Sequence, residues 1–257
     1  MATEPKIFTK NYVNSDDTLS ATSGNGSIAN ICDRDTTSQW VSSGANSDST
    51  DVAITVVFYE GTTAVNRVID SFLMINHNIK DADLYYYDGA TYQLWYSFTN
   101  LSATTTFQTL TSQTTSQIQL ILHSTQTANQ EKAIGELNLM NLVLDFGQDL
   151  YTYMVPFRQL TKDVQLGEGS LARGNIRWTY NRIEKYECNW SIILMTNTLL
   201  NALLNIKNAG VPFLWYPESI SRPDEIWYVH WWGPRNTQYT NYVKGAGNTI
   251  SATFKEV

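Results

Sequence analysis

The chain has 257 residues, of which 42% are apolar and 16% charged, a globular composition that excludes a disordered chain. Its net charge of −7 is uneven: positions 1–140 hold 14 acidic and 6 basic residues (net −8), and positions 141–257 hold 10 and 11 (net +1). Neither half has a basic stripe, which argues against nucleic acid as a partner, and the asymmetry predicts two domains. No apolar run reaches the roughly 18 residues of a membrane span.

The N-terminal segment and the two cysteines bear on whether the protein is exported and whether it contains a disulfide or a metal-binding cysteine pair. Residues 1–10 are interpreted as an N-terminal arm, and the stretch Met1–Asp17 lacks the apolar core of a signal peptide, so we expect no Sec export. Cys32 and Cys188 form no ligand-spaced pair and are interpreted as free, buried thiols.

The first half predicts an all-β domain. Short segments rich in β-branched and aromatic residues alternate with polar turns, which is typical of a β-sandwich or jelly roll. The Asp88-Gly89 pair inside Asp83–Ser97 predicts a hairpin with a two-residue turn. The other predicted strands are Asp51–Tyr59, Val68–Ile75, Gln117–Ser124 and Ala133–Asn141.

One stretch of this half carries a resemblance. Ile28–Ser43, "IANICDRDTTSQWVSS", has the pattern A-x-x-x-D-x-D-x-T-x-x-W-x-S, and "IGELNLM" (Ile134–Met140) closes the half. The pattern resembles the discoidin, or coagulation-factor C-type, domain. The resemblance implies a galactose-binding-like β-sandwich over residues 11–142.

The same resemblance implies two sites. One is a structural calcium ion held by the oxygen ligands of Asp33, Asp35, Thr37 and Glu136, which suits a hard cation. The alternative is that Asp33 and Asp35 cap turns while Glu136 pairs with Arg34. The other is a glycan site at the loops of one end of the sandwich, where aromatic faces stack on sugars and polar side chains bind hydroxyls. Its candidates are His77, Asn78, Tyr86, Tyr92 and Trp95. The alternative for the aromatics is packing within the sheet.

The second half, residues 143–257, is also mainly β but predicts one helix. Leu199, Ala202, Leu203 and Ile206 recur at helical spacing, and Gly210 suits the position after the helix end, so we expect a helix over 197–209. The predicted strands that follow are Val211–Tyr216, Glu225–Trp232 and Thr249–Val257.

The order of motifs in this half resembles the minor tail proteins of long-tailed bacteriophages, the lambda-type tail-tip family and its distal-tail relatives. The motifs are Gly167-Glu168-Gly169, then the helix, then Pro212-Phe213-Leu214-Trp215 with Pro217, then Phe254–Val257. The resemblance implies a virion protein, assembled in the host cytoplasm. It also implies a ring, usually hexameric, between the tail tube and the hub or baseplate, in contact with tube, hub and fibre proteins.

The strand within "NAGVPFLWYPES" is apolar on both faces, so both faces need a cover. The helix is one cover, and the other is either a neighbouring subunit or the domain itself. The candidate subunit-interface residues are Pro212, Phe213, Trp215, Trp227, Trp231 and Trp232.

The sequence predicts no enzyme, because the three histidines (His77, His123 and His230) stand far apart and no nucleophile signature is present. The leading functional hypothesis is a structural virion protein whose discoidin-like domain docks a fibre, a neighbour or a host glycan. The alternative is a carbohydrate-binding, lectin-like protein outside any virion.

Overall fold

The structure is a computed structural model of the chain. It describes residues 5–24, 26–35, 38–44, 47–146, 157–163, 166–171, 174–179, 183–195, 197–216, 226–240 and 247–256; the side chains of 157–195, 233–251 and 256 are outside the description. The described residues are mainly β with one α-helix, as predicted. They divide into two compact units. The sandwich unit consists of the described residues within Phe8–Leu142, and the helix unit combines the described residues up to Ile7 with the described residues from Val143 onward.

Two antiparallel sheets form the sandwich unit. The five-stranded sheet has the order β2-β4-β11-β8-β9 and the four-stranded sheet has the order β10-β7-β12-β3. A short pair, β5 with β6, lies apart from both. The strands that precede the sandwich or belong to it are β1 (Lys6–Phe8), β2 (Thr18–Ala21), β3 (Trp40–Val41), β4 (Val52–Val57), β5 (Tyr59–Glu60), β6 (Thr63–Ala64), β7 (Arg67–His77), β8 (Ile79–Tyr87), β9 (Tyr92–Phe98), β10 (Thr105–Thr115), β11 (Gln117–Thr125) and β12 (Ala133–Met140).

The core of the sandwich follows from the two-residue period of its strands. Alternate residues of β4 and β11 are buried, and they meet apolar residues of β7 and β12 in one cluster between the sheets. This cluster is mainly aliphatic; its largest members are Trp40, Phe58, Phe72 and Phe98. The predicted β-sandwich is therefore confirmed.

Strand β12 departs from this alternation, because all eight of its residues are buried. Its inner face contributes Leu137 and Leu139 to the core. Beside it lies the 3₁₀ helix Ile28–Cys32, which leads into the Asp33 loop. The predicted loop and the predicted last strand are thus neighbours in the fold.

The predicted hairpin is present, but its turn differs from the prediction. Strands β8 and β9 pair as far as Tyr87 and Tyr92, and the Asp88 N–H donates to the Thr91 carbonyl at 3.1 Å, so the turn is centred on Gly89 and Ala90 and not on Asp88-Gly89. Of the Asp88-Gly89 pair only Gly89 has a positive φ, 103°. The Asp88 carboxylate accepts hydrogen bonds from the backbone N–H groups of Ala90 and Thr91, both at 2.8 Å. This Asx-type capping stabilises the turn.

The helix unit contains a seven-stranded sheet of order β13-β1-β18-β19-β20-β17-β14 and a separate pair, β15 with β16. Residues 6–8, interpreted from the sequence as part of an arm, enter this sheet as strand β1. The remaining elements are β13 (Leu142–Asp145), β14 (Phe157–Asp163), β15 (Leu166–Leu171), β16 (Gly174–Thr179), β17 (Ile183–Met195), α1 (Asn197–Ala209), β18 (Phe213–Tyr216), β19 (Trp227–Thr240) and β20 (Gly247–Glu256).

Helix α1 has the predicted bounds and covers one face of this sheet. Leu203 and Ile206 are buried, while Leu199 and Ala202 pack against the same cluster as the rings of β18, β19 and β20. Gly210 takes the left-handed conformation, with φ 65°, at the position just after the helix. The Gly167-Glu168-Gly169 motif lies in β15, and Pro217 lies outside the described residues.

Candidate functional site

The structure brings two of the predicted calcium ligands together. The carboxyl groups of Asp33 and Glu136 are in hydrogen-bond contact, and the backbone N–H of Arg34 donates to Glu136. Asp33 also accepts hydrogen bonds from the Asp35 backbone N–H at 2.8 Å and from the Ser38 hydroxyl at 2.7 Å. Asp33 therefore does cap a turn, as the alternative interpretation expects. Asp35 is exposed, and Thr37 lies outside the described residues.

Glu136 is a buried carboxyl group on which the effect of burial outweighs the nearby positive charge of Arg34. The residue is only 4% exposed, and its Oε1 atom has no hydrogen-bond partner among the described residues. Burial raises the pKa of Glu136 to about 8, and the Asp33 carboxylate adds to the rise. Either a proton or a bound cation would offset the unfavourable burial of the Glu136 negative charge beside the Asp33 carboxylate. A calcium ion fits the orphaned oxygen and the Asp33 carboxylate, but no group of three acidic, histidine or cysteine side chains in the described part of the chain surrounds such a position.

The five predicted glycan contacts do not share one place. His77 and Asn78 lie where β7 ends and β8 begins, whereas Tyr86 and Tyr92 lie beside the β8–β9 turn. Eight residues of extended chain separate Asn78 from Tyr86, roughly 26 Å. The two groups are therefore at opposite ends of the sandwich, which we call the loop end and the hairpin end.

At the loop end, His77 and Asn78 hold the fold together. His77 is 2% exposed; its Nδ1 accepts the Ile79 N–H at 3.1 Å and its Nε2 lies 2.9 Å from the Thr106 hydroxyl. Burial lowers the pKa of His77 to about 4, so the ring is neutral. The ring is therefore enclosed by the fold, and its assignment as a glycan contact stays a prediction.

The Asn78 side chain is equally engaged, since its amide nitrogen donates to the Glu131 carbonyl at 2.7 Å and its oxygen accepts the Ala133 N–H at 2.9 Å. Nearby, the buried Lys132 ammonium donates to the Thr50 carbonyl at 2.8 Å. These bonds tie the loops of this end to one another, and the side chains that make them are already committed within the fold.

Tyr86 and Trp95 face the inside of the sandwich near the hairpin end. Tyr86 pairs across the sheet with the buried Ile118, and its ring meets the ring of Trp95 edge-on at 5.7 Å. Trp95 is the extra residue of a β-bulge, and its indole N–H donates to the Thr111 carbonyl at 2.8 Å. These two rings close the edge of the sandwich, as the packing alternative expects.

Tyr92, in contrast, belongs to a surface on the outer side of the five-stranded sheet. Cross-strand partners share a face, so residues that alternate with the buried positions of β8 and β11 point outward together. We call this surface the tyrosine face; it consists of Tyr85, Tyr87, Tyr92, Leu94, Gln117 and Gln119. Sequence analysis missed most of it, although the alternation of β8 with buried Leu84 was a usable signal.

The tyrosine face is built from rings braced by side-chain amides. The rings of Tyr87 and Tyr92 lie 5.5 Å apart, and the Tyr92 hydroxyl donates to the Gln117 amide oxygen at 3.0 Å. The Gln119 amide nitrogen lies 3.4 Å from the Thr55 hydroxyl. Leu94, directly opposite Tyr85 on the edge strand, is 55% exposed. Rings and amides are thus fixed in place on a solvent-facing sheet.

Several polar groups of this face remain available. The hydroxyls of Tyr85 and Tyr87 and the amide nitrogen of Gln117 have no hydrogen-bond partner within the described residues. Burial together with the neighbouring Tyr87 raises the pKa of Tyr92, so this phenol is neutral. The arrangement can stack on an apolar ring surface and exchange hydrogen bonds with hydroxyl groups.

An acidic cluster borders the tyrosine face. His123 bridges two carboxylates, with Nδ1 2.8 Å from Asp51 and Nε2 3.2 Å from Asp83. Partial burial disfavours the charged ring, but hydrogen bonds to both carboxylates outweigh this and raise the pKa of His123. Asp81 lies close by and accepts the Ser124 hydroxyl. The border therefore carries more negative than positive charge.

In the helix unit, three of the predicted interface residues belong to the unit's own core. Phe213, Trp215 and Trp231 are almost fully buried, and their ring centroids lie 5.0, 5.3 and 5.5 Å from that of Phe254. They are enclosed within the unit's own core, and their assignment as interface residues stays a prediction. Phe213 and Trp215 do face the helix, as the strand alternation predicted.

The remaining candidates differ from one another. Pro212 is half-buried, and Trp227 packs against the edge of the core. Trp232 is 59% exposed, and the Lys255 ammonium lies 5.0 Å from the centre of its ring. Of the six predicted interface residues, Trp232 is the one that presents a large apolar surface to solvent.

Solved structures similar in fold cover about half of the chain. One is a module named CpGH89CBM32-5 from Clostridium perfringens, in complex with GalNAc-beta-1,3-galactose (15% identity, 51% of this chain, 100% of that chain, TM-score 0.43). Another is the family 32 carbohydrate-binding module of EndoD from Streptococcus pneumoniae (19% identity, 51% of this chain, 98% of that chain, TM-score 0.42). A third is the family 32 module of NanJ from C. perfringens, in complex with galactose (17% identity, 53% of this chain, 99% of that chain, TM-score 0.44). The likeness concerns the fold.

No protein-family model and no curated protein matches the chain. Within the residues that the structure describes, no helix has the length and hydropathy needed to cross a membrane.

Proposed function

We propose that the sandwich unit is a glycan-binding module and that the tyrosine face is its binding surface. The observation that carries this proposal is the fixed set of half-buried, outward-facing rings and unpartnered hydroxyl and amide groups on one side of the five-stranded sheet. Sugars present an apolar C–H surface and a rim of hydroxyls. Such a ligand needs aromatic area together with neutral hydrogen-bonding groups.

The loop end is a weaker candidate for the same function. Its best-placed polar side chains, those of Asn78 and Lys132, already hydrogen-bond to loop backbone. Its described loops, at residues 42–44, 47–51, 99–104 and 126–132, contain no aromatic residue on which a sugar could stack.

A glycan array probed with the full chain tests the proposal. We expect binding by the wild-type protein and its loss in the double variant Tyr85→Ala/Tyr87→Ala. The matched control is Thr127→Ala/Gln130→Ala, which changes two exposed side chains at the loop end. If the control loses binding and the tyrosine variant retains it, the site lies at the loop end. If the wild-type protein binds no glycan on the array, the proposed function is wrong.

A second candidate function concerns the helix unit. We propose that it assembles copies of the chain into a ring within a phage tail tip or baseplate, where the protein contacts tube, hub or fibre proteins and performs no catalysis. The favouring observation is Trp232, an exposed tryptophan on the sheet face opposite the buried Trp231. Large exposed aromatic side chains are typical of the centres of protein–protein interfaces.

Light scattering on the purified chain over a range of concentrations tests this second proposal. We expect an oligomer, with a hexamer as the predicted size, and a shift toward monomer in Trp232→Ala. Val211→Ser serves as the control, because Val211 is also exposed but belongs to a loop. A wild-type protein that stays monomeric at the highest concentration would contradict the proposal.

A further inference from the structure

We infer that the tyrosine face takes an extended glycan chain whose sugars carry no acidic groups, an inference that rests on the glycan-binding function proposed above. The dimensions of the face are the first argument. It spans strands β9, β8 and β11, which at about 4.8 Å per strand spacing is roughly 10 Å. Tyr85 and Tyr87 are two residues apart on one strand, so two rows of contacts lie roughly 6.6 Å from each other. A single sugar ring covers only part of this surface.

The polar groups are the second argument. The Tyr85 hydroxyl, the Tyr87 hydroxyl and the Gln117 amide nitrogen stand at separate places along the face, and none has a partner in the described part of the chain. Each can bind a hydroxyl or an acetamido group of a different sugar unit. Each further unit of a chain therefore adds its own contact, whereas a terminal sugar uses one of them.

Charge is the third argument, and it decides the class of sugar. The five strands of this sheet contain one basic residue apart from His123, namely Lys80, and it lies beside Asp81 at the loop end. Asp83 borders the face on one side and Asp88 on the other. These carboxylates would repel an acidic glycan, and the face has no arginine or lysine to offset the repulsion. Tight binding of an anion normally requires such a positive charge.

The exposed, apolar edge at Leu94 could also suit a protein partner. The braced amides and free hydroxyls favour the sugar, because each neutral polar group buried under a protein would need its own matched partner. A protein occupant is therefore an outcome that the experiment below must exclude.

Calorimetric titration of the full chain distinguishes these possibilities. The ligands are linear chito- and cello-oligosaccharides of one to six units, and oligogalacturonides of the same lengths supply the acidic comparison. We expect the association constant of the neutral series to rise by about tenfold or more between one and four units, and the acidic series to bind at least about tenfold more weakly at low salt. Tyr85→Ala and Leu94→Ser should each lower the affinity for the neutral tetramer. We expect the decrease in the association constant to be about tenfold for Tyr85→Ala. Leu94→Ser alters an exposed side chain and so keeps the test valid if Tyr85→Ala folds poorly.

The outcomes separate the inference from the function on which it rests. If one sugar binds as tightly as six, or if the acidic series binds as well as the neutral one, the inference is wrong and the glycan-binding function stands. If no glycan of any class binds here or on the array, both are wrong. If Thr127→Ala/Gln130→Ala lowers affinity as much as Tyr85→Ala, the tyrosine face is not the site.

Discussion

The sandwich unit and the helix unit cover their sheets differently. In the sandwich unit one sheet covers the other with a mainly aliphatic core, and tyrosines remain on the outer face. In the helix unit a helix covers the sheet, and Phe213, Trp215 and Trp231 are packed around Phe254 beneath it. The difference teaches that aromatic content by itself does not locate a binding surface. The tryptophan-rich half uses most of its described rings for folding, whereas the tyrosine-rich hairpin keeps Tyr85, Tyr87 and Tyr92 on the outer face of its sheet.

The largest effect expected from this comparison is at Phe254. Phe254→Ala removes the ring around which three others pack, so we expect a loss of about 3–5 kcal/mol in the stability of the helix unit. Denaturant unfolding followed by tryptophan fluorescence measures it. Val211→Ala is the control, because a change at this exposed side chain should stay within about 0.5 kcal/mol. Equal effects of the two variants would show that the aromatic core does not support the unit.

The next effect concerns the buried carboxyl of the sandwich unit. Because the pKa of Glu136 is raised from 4.5 to about 8 on folding, the folded state holds an extra proton between these values, and stability falls as the pH rises through this window. We expect Glu136→Gln to remove this dependence, which is on the order of a few kcal/mol, and to be more stable than the wild type at pH 8. Hydrogen exchange of the amides of β7 and β12 at pH 5 and pH 8 measures it.

Calcium sharpens the same experiment. If a calcium ion takes the place of the proton, added calcium at pH 8 should slow exchange in the wild-type protein and leave Glu136→Gln unchanged. If calcium acts equally on both proteins, Glu136 is not a ligand. If neither pH nor calcium matters in the wild type, its carboxyl is not buried as described.

A smaller effect is expected where strand β12 meets its neighbours. A methyl group added at Gly135 would lie 3.0 Å from the Asn76 Cβ, 3.1 Å from the Ile75 carbonyl oxygen and 3.3 Å from the Ser38 carbonyl oxygen. Two of these are backbone atoms, one in strand β7 and one in the loop before β3, so we expect Gly135→Ala to cost about 1–3 kcal/mol. Gly26→Ala, with 3.8 Å to its nearest atom, is the matched control for thermal unfolding. A Gly135 variant as stable as its control would mean that this close packing yields without cost.

The smallest effect is spectroscopic and separates two histidines of the sandwich unit. Burial lowers the pKa of His77 to about 4, whereas hydrogen bonds to Asp51 and Asp83 raise that of His123. An NMR titration should therefore show the His77 ring unchanged down to about pH 5 and the His123 ring titrating above its ordinary value of 6.5. Substitution of each histidine by asparagine assigns the signals. Similar titration midpoints would contradict the difference in their surroundings.

Much of the secondary structure was predictable from the sequence. The helix has its predicted bounds, and the four apolar strands predicted in the first half appear within two residues of their predicted ends. Strand β10 (Thr105–Thr115) was missed, because it is mostly Thr, Ser and Gln and only Leu110 of its apolar residues is fully buried. A polar strand paired to a buried neighbour leaves little trace in apolar periodicity.

The candidate site was predictable only in part. Asp33 and Glu136 were correctly expected to be neighbours, and Tyr92 lies on the tyrosine face. The grouping of His77 with Tyr86 failed, because an antiparallel strand carries the chain from one end of a sandwich to the other. His77 and Tyr86 are only nine residues apart in sequence, but an extended strand of that length runs from one end of the sandwich to the other.

The sequence by itself determined the strand periods, the extent of helix α1 and the unequal charge of the two halves, since these depend on residue order and composition alone. Only the tertiary structure decided which rings are buried. Phe213 and Trp215 alternate in the same way as Tyr85 and Tyr87, yet the first pair is covered by a helix and the second faces solvent. Alternation tells which residues share a face, whereas the element that packs against that face is chosen by contacts distant in sequence.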